Sequence, residues 1–99
     1  MQTMRVELYL VARLDETQAV CNEVVEKFGG AAFAKADGAW KDADCDVIED
    51  EILIVTVFCP DTCSTREWFD NTMQDYMSDA DQESVLYVIN GNQAIFLEN

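Results

Sequence analysis

Apolar and polar positions alternate imperfectly over Arg5 to Ala12, a stretch rich in Val, Leu and Tyr, and predict a first strand. The period then changes. Val20, Cys21, Val24, Val25 and Phe28 recur at helical spacing. Asp15 and Gln18 stand as the two halves of a capping box before them, and Gly29-Gly30 supplies a C-terminal stop. Ala31 to Lys35 predicts a second strand that continues weakly to Lys41 across an interruption at Asp37-Gly38. A polar loop, Asp42 to Asp46, leads to a strong third strand near Ile48 to Cys59. Its Ile, Val and Phe residues fall on both faces, the pattern of a central strand covered on both sides.

Pro60 and Asp61 end that strand. Ser64 and Glu67 form a second capping-box pattern, and Trp68, Phe69, Thr72, Met73, Tyr76 and Met77 make a helical stripe. Ser84 to Ile89 predicts a fourth strand. Asn90-Gly91, suited to a type I′ turn, should fold Ala94 to Leu97 back as a fifth. The order matches an α+β, ferredoxin-like βαββαβ arrangement with a C-terminal hairpin strand, its two helices on one face of an antiparallel sheet. Residues 1–99 contain no linker, repeat or low-complexity stretch and are expected to form a single domain.

Charge changes this picture more than composition does. At 49% hydrophobic the chain can bury a core despite a net charge of −14. Residues 1–41 hold six acids and five bases, whereas residues 42–99 hold fourteen acids and one base, Arg66. In the expected topology the β1–α1, β2–β3 and α2–β4 loops meet at one end. They bring together Asp15 and Glu16; Asp42, Asp44, Asp46, Glu49, Asp50 and Glu51; and Asp79, Asp81 and Glu83. Carboxylates this close repel one another, so their collection implies a collective use. A negative surface repels nucleic acid and anionic membrane alike, and its natural partners are basic surfaces or cations.

Candidate chemistry is sparse. The chain has no histidine, which removes the commonest general base and metal ligand. Asp42-x-Asp44-x-Asp46 copies the start of a calcium loop, but Val47 stands where glycine is needed and Leu53 where glutamate is. Cys59 and Cys63 are the only suggestive cysteine pair, and no second pair with matching spacing completes a zinc set. No run of apolar residues is long enough to span a bilayer, and Met1 to Ala12 lacks the marks of a signal peptide, so a cytoplasmic location with thiol cysteines is expected. Trp40 follows a glycine beside the acidic loop. It serves there either as an interface anchor rimmed by acids or as a plug closing the end of the core.

In size, charge and lack of catalytic residues the chain resembles small acidic phage-encoded inhibitors of bacterial immunity, the anti-CRISPR and anti-restriction proteins of the DNA-mimic class. That resemblance implies a protein that is not an enzyme, needs no cofactor or metal, and occupies a basic, nucleic-acid-binding surface of a partner protein. The residues expected to do so are Trp40, Asp42, Asp44, Asp46, Glu49, Asp50, Glu51, Asp79, Asp81 and Glu83. The alternatives are a small redox or metal-binding protein using Cys59 and Cys63, or an acidic domain with no mimicry role. The open face of such a sheet can also support a homodimer.

Overall fold

A computed structural model describes residues 2–99. Its elements are β1 (Thr3–Val11), α1 (Asp15–Phe28), β2 (Ala32–Lys41), β3 (Val47–Pro60), α2 (Cys63–Asp79), β4 (Ser84–Ile89) and β5 (Gln93–Glu98). The strands form one antiparallel sheet in the order β2-β3-β1-β4-β5, the ferredoxin-like order with one added edge strand.

Strand alternation explains which face the helices cover. Met4, Val6, Leu8 and Leu10 of β1, Val55, Val57 and Cys59 of β3, and Val85, Tyr87 and Ile89 of β4 all point to one side and are buried. Against them lie Val20, Cys21 and Val24 of α1 and Phe69, Met73, Tyr76 and Met77 of α2. Each fully buried large apolar side chain contributes about 1.5–3 kcal/mol. Phe28 stacks on Phe69 with ring centroids 5.3 Å apart, and Trp68 meets both rings edge-on, which joins the end of α1 to the start of α2.

Both helices begin differently from the sequence expectation. The N-cap of α1 is Leu14, which offers no side-chain acceptor; Asp15 is the first helical residue and acts only through its charge near the helix N-terminus. The N-cap of α2 is Thr62, whose hydroxyl accepts from the Thr65 N–H at 3.2 Å, two residues before the expected Ser64. The chain is extended at Thr62, so the helix can start there.

Two strands also depart from expectation. β2 runs unbroken through Asp37-Gly38. β3 is covered on one side only: its core side faces the helices, while Phe58 on the other side is 66% exposed. The hairpin turn forms as expected in sign, with Asn90 and Gly91 at φ 54° and 72°, but Ile89 pairs with Gln93, so Asn92 is an extra loop residue.

The end of β1 is clamped. The Val11 N–H donates to the Tyr76 hydroxyl at 3.0 Å, and the Thr17 hydroxyl donates to the Val11 carbonyl at 2.5 Å. With its proton so used, Thr17 accepts from the Tyr76 O–H across 2.9 Å. One strand end and both helices are joined in a closed, satisfied network. Tyr76→Phe should therefore strand the Val11 N–H and cost about 1–3 kcal/mol. Urea unfolding should show a lower midpoint with an unchanged slope.

Candidate functional site: a notch at the end of β1

β1 ends opposite Ile52, but β3 continues back to Val47 and β2 runs on to Lys41. Beyond that point β2 and β3 form a two-stranded arm. A notch remains between this arm and the α2–β4 turn, above the end of β1. It is a cavity of about 630 Å³, within the size range of small-molecule sites. Val11, Ile48, Ile52 and Leu86 give it apolar walls, and Tyr9, Trp40 and Phe96 give it aromatic ones.

Gly38 makes room for Ile52 in the wall of the notch, beside Trp40. A Cβ at residue 38 would lie 2.7 Å from Cγ1 of Ile52 and 3.4 Å from Cζ3 of Trp40. Glycine thus leaves the room that Ile52 fills, while the indole would meet such a Cβ at an ordinary van der Waals distance. Trp40 is 40% exposed and lies on the open side of the sheet, so it does not plug the core. Across the notch the chain turns tightly through Asp81, at φ 53°, before β4 begins.

The notch is acidic. Asp42, Asp50, Asp81 and Glu83 line it, against a single base, Lys41. The topology therefore does bring Trp40 and four of the expected acids to one place. The others lie elsewhere. Glu49 and Glu51 point to the opposite face from Asp50, because neighbours on a strand alternate. They line a separate depression with Arg13 and Asp37, and Glu51 pairs with Lys35 at 3.8 Å. Asp79 ends α2, exposed and outside the notch. Asp44 and Asp46 sit at the exposed tip of the arm, where their backbone N–H groups donate to the Asp42 carboxylate at 2.9 and 3.0 Å. That carboxylate folds its own loop, which gives the Asp-x-Asp-x-Asp spacing a local structural role. Asp50 is reached by Arg13 at 3.8 Å, a surface pair of small energetic weight.

Among the described residues no three His, Cys, Asp or Glu side chains come together closely enough to hold a metal ion. All four cysteines are free thiols. Cys59 lies in the core with its thiol 3.8 Å from the Met4 carbonyl; burial, with a smaller contribution from Asp61, pushes its pKa up, away from nucleophilic use. Cys63 is the exposed first residue of α2. No helix of the described residues is long and apolar enough to cross a membrane.

Fold and notch together define a ferredoxin-like α+β domain with an acidic, aromatic-walled cleft at the end of its central strand. The chain belongs to the DUF3574 family, described as a protein of unknown function, whose model matches residues 9–96. No curated protein matches the sequence. Solved structures of the same fold include a phage SAM lyase in complex with S-methyl-5′-thioadenosine. It is similar at TM-score 0.71 and 10% identity, over 98% of this chain and 90% of that one. A phage SAM lyase in the apo state is similar at TM-score 0.59 and 16% identity, over 98% and 88%. This likeness overturns the expectation that the chain is not an enzyme, since its fold is one that carries an enzyme. Missing histidine and missing motifs do not exclude an enzyme, because catalysis by positioning and charge needs neither.

Two buried tyrosines near these elements set an alkaline limit. Burial raises the Tyr76 pKa, outweighing its hydrogen bonds to Thr17 and Val11. Burial also raises that of Tyr87, aided by its 3.0 Å hydrogen bond to the Asp70 carboxylate and by that group's charge. In the unfolded chain both ionise near pH ~10. The folded protein keeps these protons to higher pH, so their stabilisation is complete below about pH 10 and is lost as pH rises towards the folded values. Burial raises the Cys21 and Cys59 thiols as well, so denaturant midpoints should begin to fall in the thiol range and fall more steeply above pH ~10, with a shallower fall there in Tyr87→Phe.

Proposed function

We propose that the notch is the site of an enzyme acting on a small cationic nucleoside, with a sulfonium of the S-adenosylmethionine type as substrate. The observation that carries this is the joint lining of Tyr9, Trp40 and Phe96 with Asp42, Asp50, Asp81 and Glu83. Aromatic faces attract cations and stack on nucleobases. Carboxylates in a recess steer and hold a positive charge. The named ligand of the phage SAM lyase that shares the fold, a methylthioadenosine, supports the same class.

Such a substrate is already activated. Breaking a carbon–sulfur bond of a sulfonium sends the bonding pair to sulfur and releases a neutral thioether. The positive charge is quenched either by loss of a neighbouring proton or by attack of the substrate's own carboxylate. Neither route requires a histidine, an oxidant or a metal from this chain. Trp40 would stack the base, and Asp50 would face the cation.

A second reading is favoured by the convergence of acids from two loops: a basic, nucleic-acid-binding surface of a partner protein docks on this end. Calorimetry with S-adenosylmethionine and with neutral S-methyl-5′-thioadenosine separates the two. For the nucleoside site, Trp40→Ala should weaken both ligands. Asp50→Asn should weaken the cation about tenfold, about 1.4 kcal/mol, and the neutral thioether little. Asp44→Lys with Asp46→Lys should change neither. Methylthioadenosine should accumulate with wild-type protein on chromatography. Absence of binding and turnover would remove the nucleoside proposal. Loss of partner binding in the Asp44 and Asp46 lysine variant would favour the second.

A further inference from the structure

β2 is an edge strand. β3 pairs with it on one side, residue for residue from Ala32 opposite Thr56 to Lys41 opposite Val47, and its other side is open. The open edge is ten residues long, with no proline and no bulge to blunt it. Half of its backbone N–H and C=O groups point outward with no strand to meet them, which makes a template for another strand. A charge is also left unmet. On the helix side of the sheet Asp37 stands directly opposite Glu51, two acids across neighbouring strands, an unfavourable pair. Lys35 reaches Glu51 at 3.8 Å and Arg13 reaches Asp50, but among the described residues no base pairs with Asp37.

We infer that this edge pairs with the same edge of a second copy of the chain, antiparallel about a two-fold axis at Ala36, so that two five-stranded sheets join into one. Sterics and charge together select that register. Residues directly opposite in an antiparallel pair both point their N–H and C=O groups at the partner, or both point them away. A two-fold axis must therefore pass through a residue level and not between two. At Lys35 it would set lysine against lysine, and at Asp37 aspartate against aspartate. At Ala36 it sets Lys35 opposite the partner's Asp37, on one face of the sheet. Each Asp37 then has Glu51 on one side and a base on the other. The overlap about Ala36 runs from Ala32 to Trp40, and moving the axis further along β2 shortens it. The same contacts recur by symmetry, as an isologous interface requires.

This edge fits its own copy better than the rest of the surface does. The chain is strongly acidic, but β2 carries Lys35 and Lys41 against Asp37, and residues 1–41 hold six acids and five bases. Like-charged surfaces from the acidic half would repel one another, whereas two β2 edges attract through their Lys35–Asp37 pairs. The other free edge, β5, has six residues, with Glu98 and no base. Ala34, Ala36 and Gly38 bring only small side chains to the open-face side of the seam, so nothing bulky opposes the approach of the two backbones. On the helix side Phe33, 48% exposed, lies opposite the partner's Ala39. The seam takes only the outer edge of β2. The notch lies across the arm from it, where β3 passes the end of β1, so Tyr9, Phe96 and Asp50 stay open to an occupant.

Cross-linking reads the register directly and needs no ligand, so its result is independent of whether the notch takes a nucleoside. Cys45→Ser with Cys63→Ser first removes the two exposed thiols. In that background Ala36→Cys places two thiols at the axis with Cα atoms ~4.5–5.5 Å apart, within reach of a disulfide. Copper phenanthroline should convert it to a covalent dimer on a non-reducing gel. Ala34→Cys sets its two thiols four residues apart along the seam, about 13 Å, and should run as a monomer. Sedimentation equilibrium at ~100 µM protein and ~0.15 M salt should find the wild-type chain dimeric. Lys35→Glu should weaken the dimer at least about tenfold with an unchanged far-ultraviolet dichroism spectrum, and Lys35→Glu combined with Asp37→Lys should recover it. A wild-type monomer at that concentration overturns the inference. So does cross-linking no better at residue 36 than at residue 34, or a double variant no tighter than Lys35→Glu.

Discussion

The uncovered side of the sheet is the constraint on which the rest of this structure depends. Two helices cover one face of five strands, and the other carries an apolar row from Ala34 to Phe96. A monomeric surface rarely leaves a large contiguous apolar patch facing water. The cost is tolerated where the patch binds something. The notch opens on this face, where β1 ends.

The notch itself follows from strand lengths. β1 ends at Val11, where Tyr76 and Thr17 hold its last backbone groups, while β2 and β3 continue. A central strand shorter than its neighbour leaves a recess in the sheet, walled by whatever faces the gap. Here those walls are three aromatic rings and four acids. The arm that forms one wall is a two-stranded ribbon, a form that is marginal alone in water. Its Trp40 and Ile48 are only partly covered, so an occupant of the face would also stabilise the arm.

Much of the fold was legible in the residues. Alternation in β1 and β4, the helical stripes beginning at Val20 and Trp68, and Asn90-Gly91 yield the correct element order, because each is a local pattern with a single structural solution. The caps were less legible: Ser64 and Glu67 have the right spacing, yet Thr62 is the residue left extended before α2. The apolar residues on both faces of β3 predicted cover on both sides, but the helices cover one face only and Phe58 on the other is exposed. The gathering of acids followed from topology, but the separation of Asp50 from Glu49 and Glu51 required the strand's alternation to be applied residue by residue. The notch had no motif, since it consists of the place where β1 stops.

The central claim is that the notch takes a cationic nucleoside against its arm. Hydrogen exchange of the arm's backbone amides, Ala39 to Lys41 and Val47 to Glu49, read with and without S-adenosylmethionine, tests it most directly. A ribbon that is marginal alone and forms one wall of an occupied notch should show protection that rises with the ligand, while the helix-covered core exchanges at the same rate throughout. Exchange in the arm that is fast and indifferent to the ligand would contradict the account.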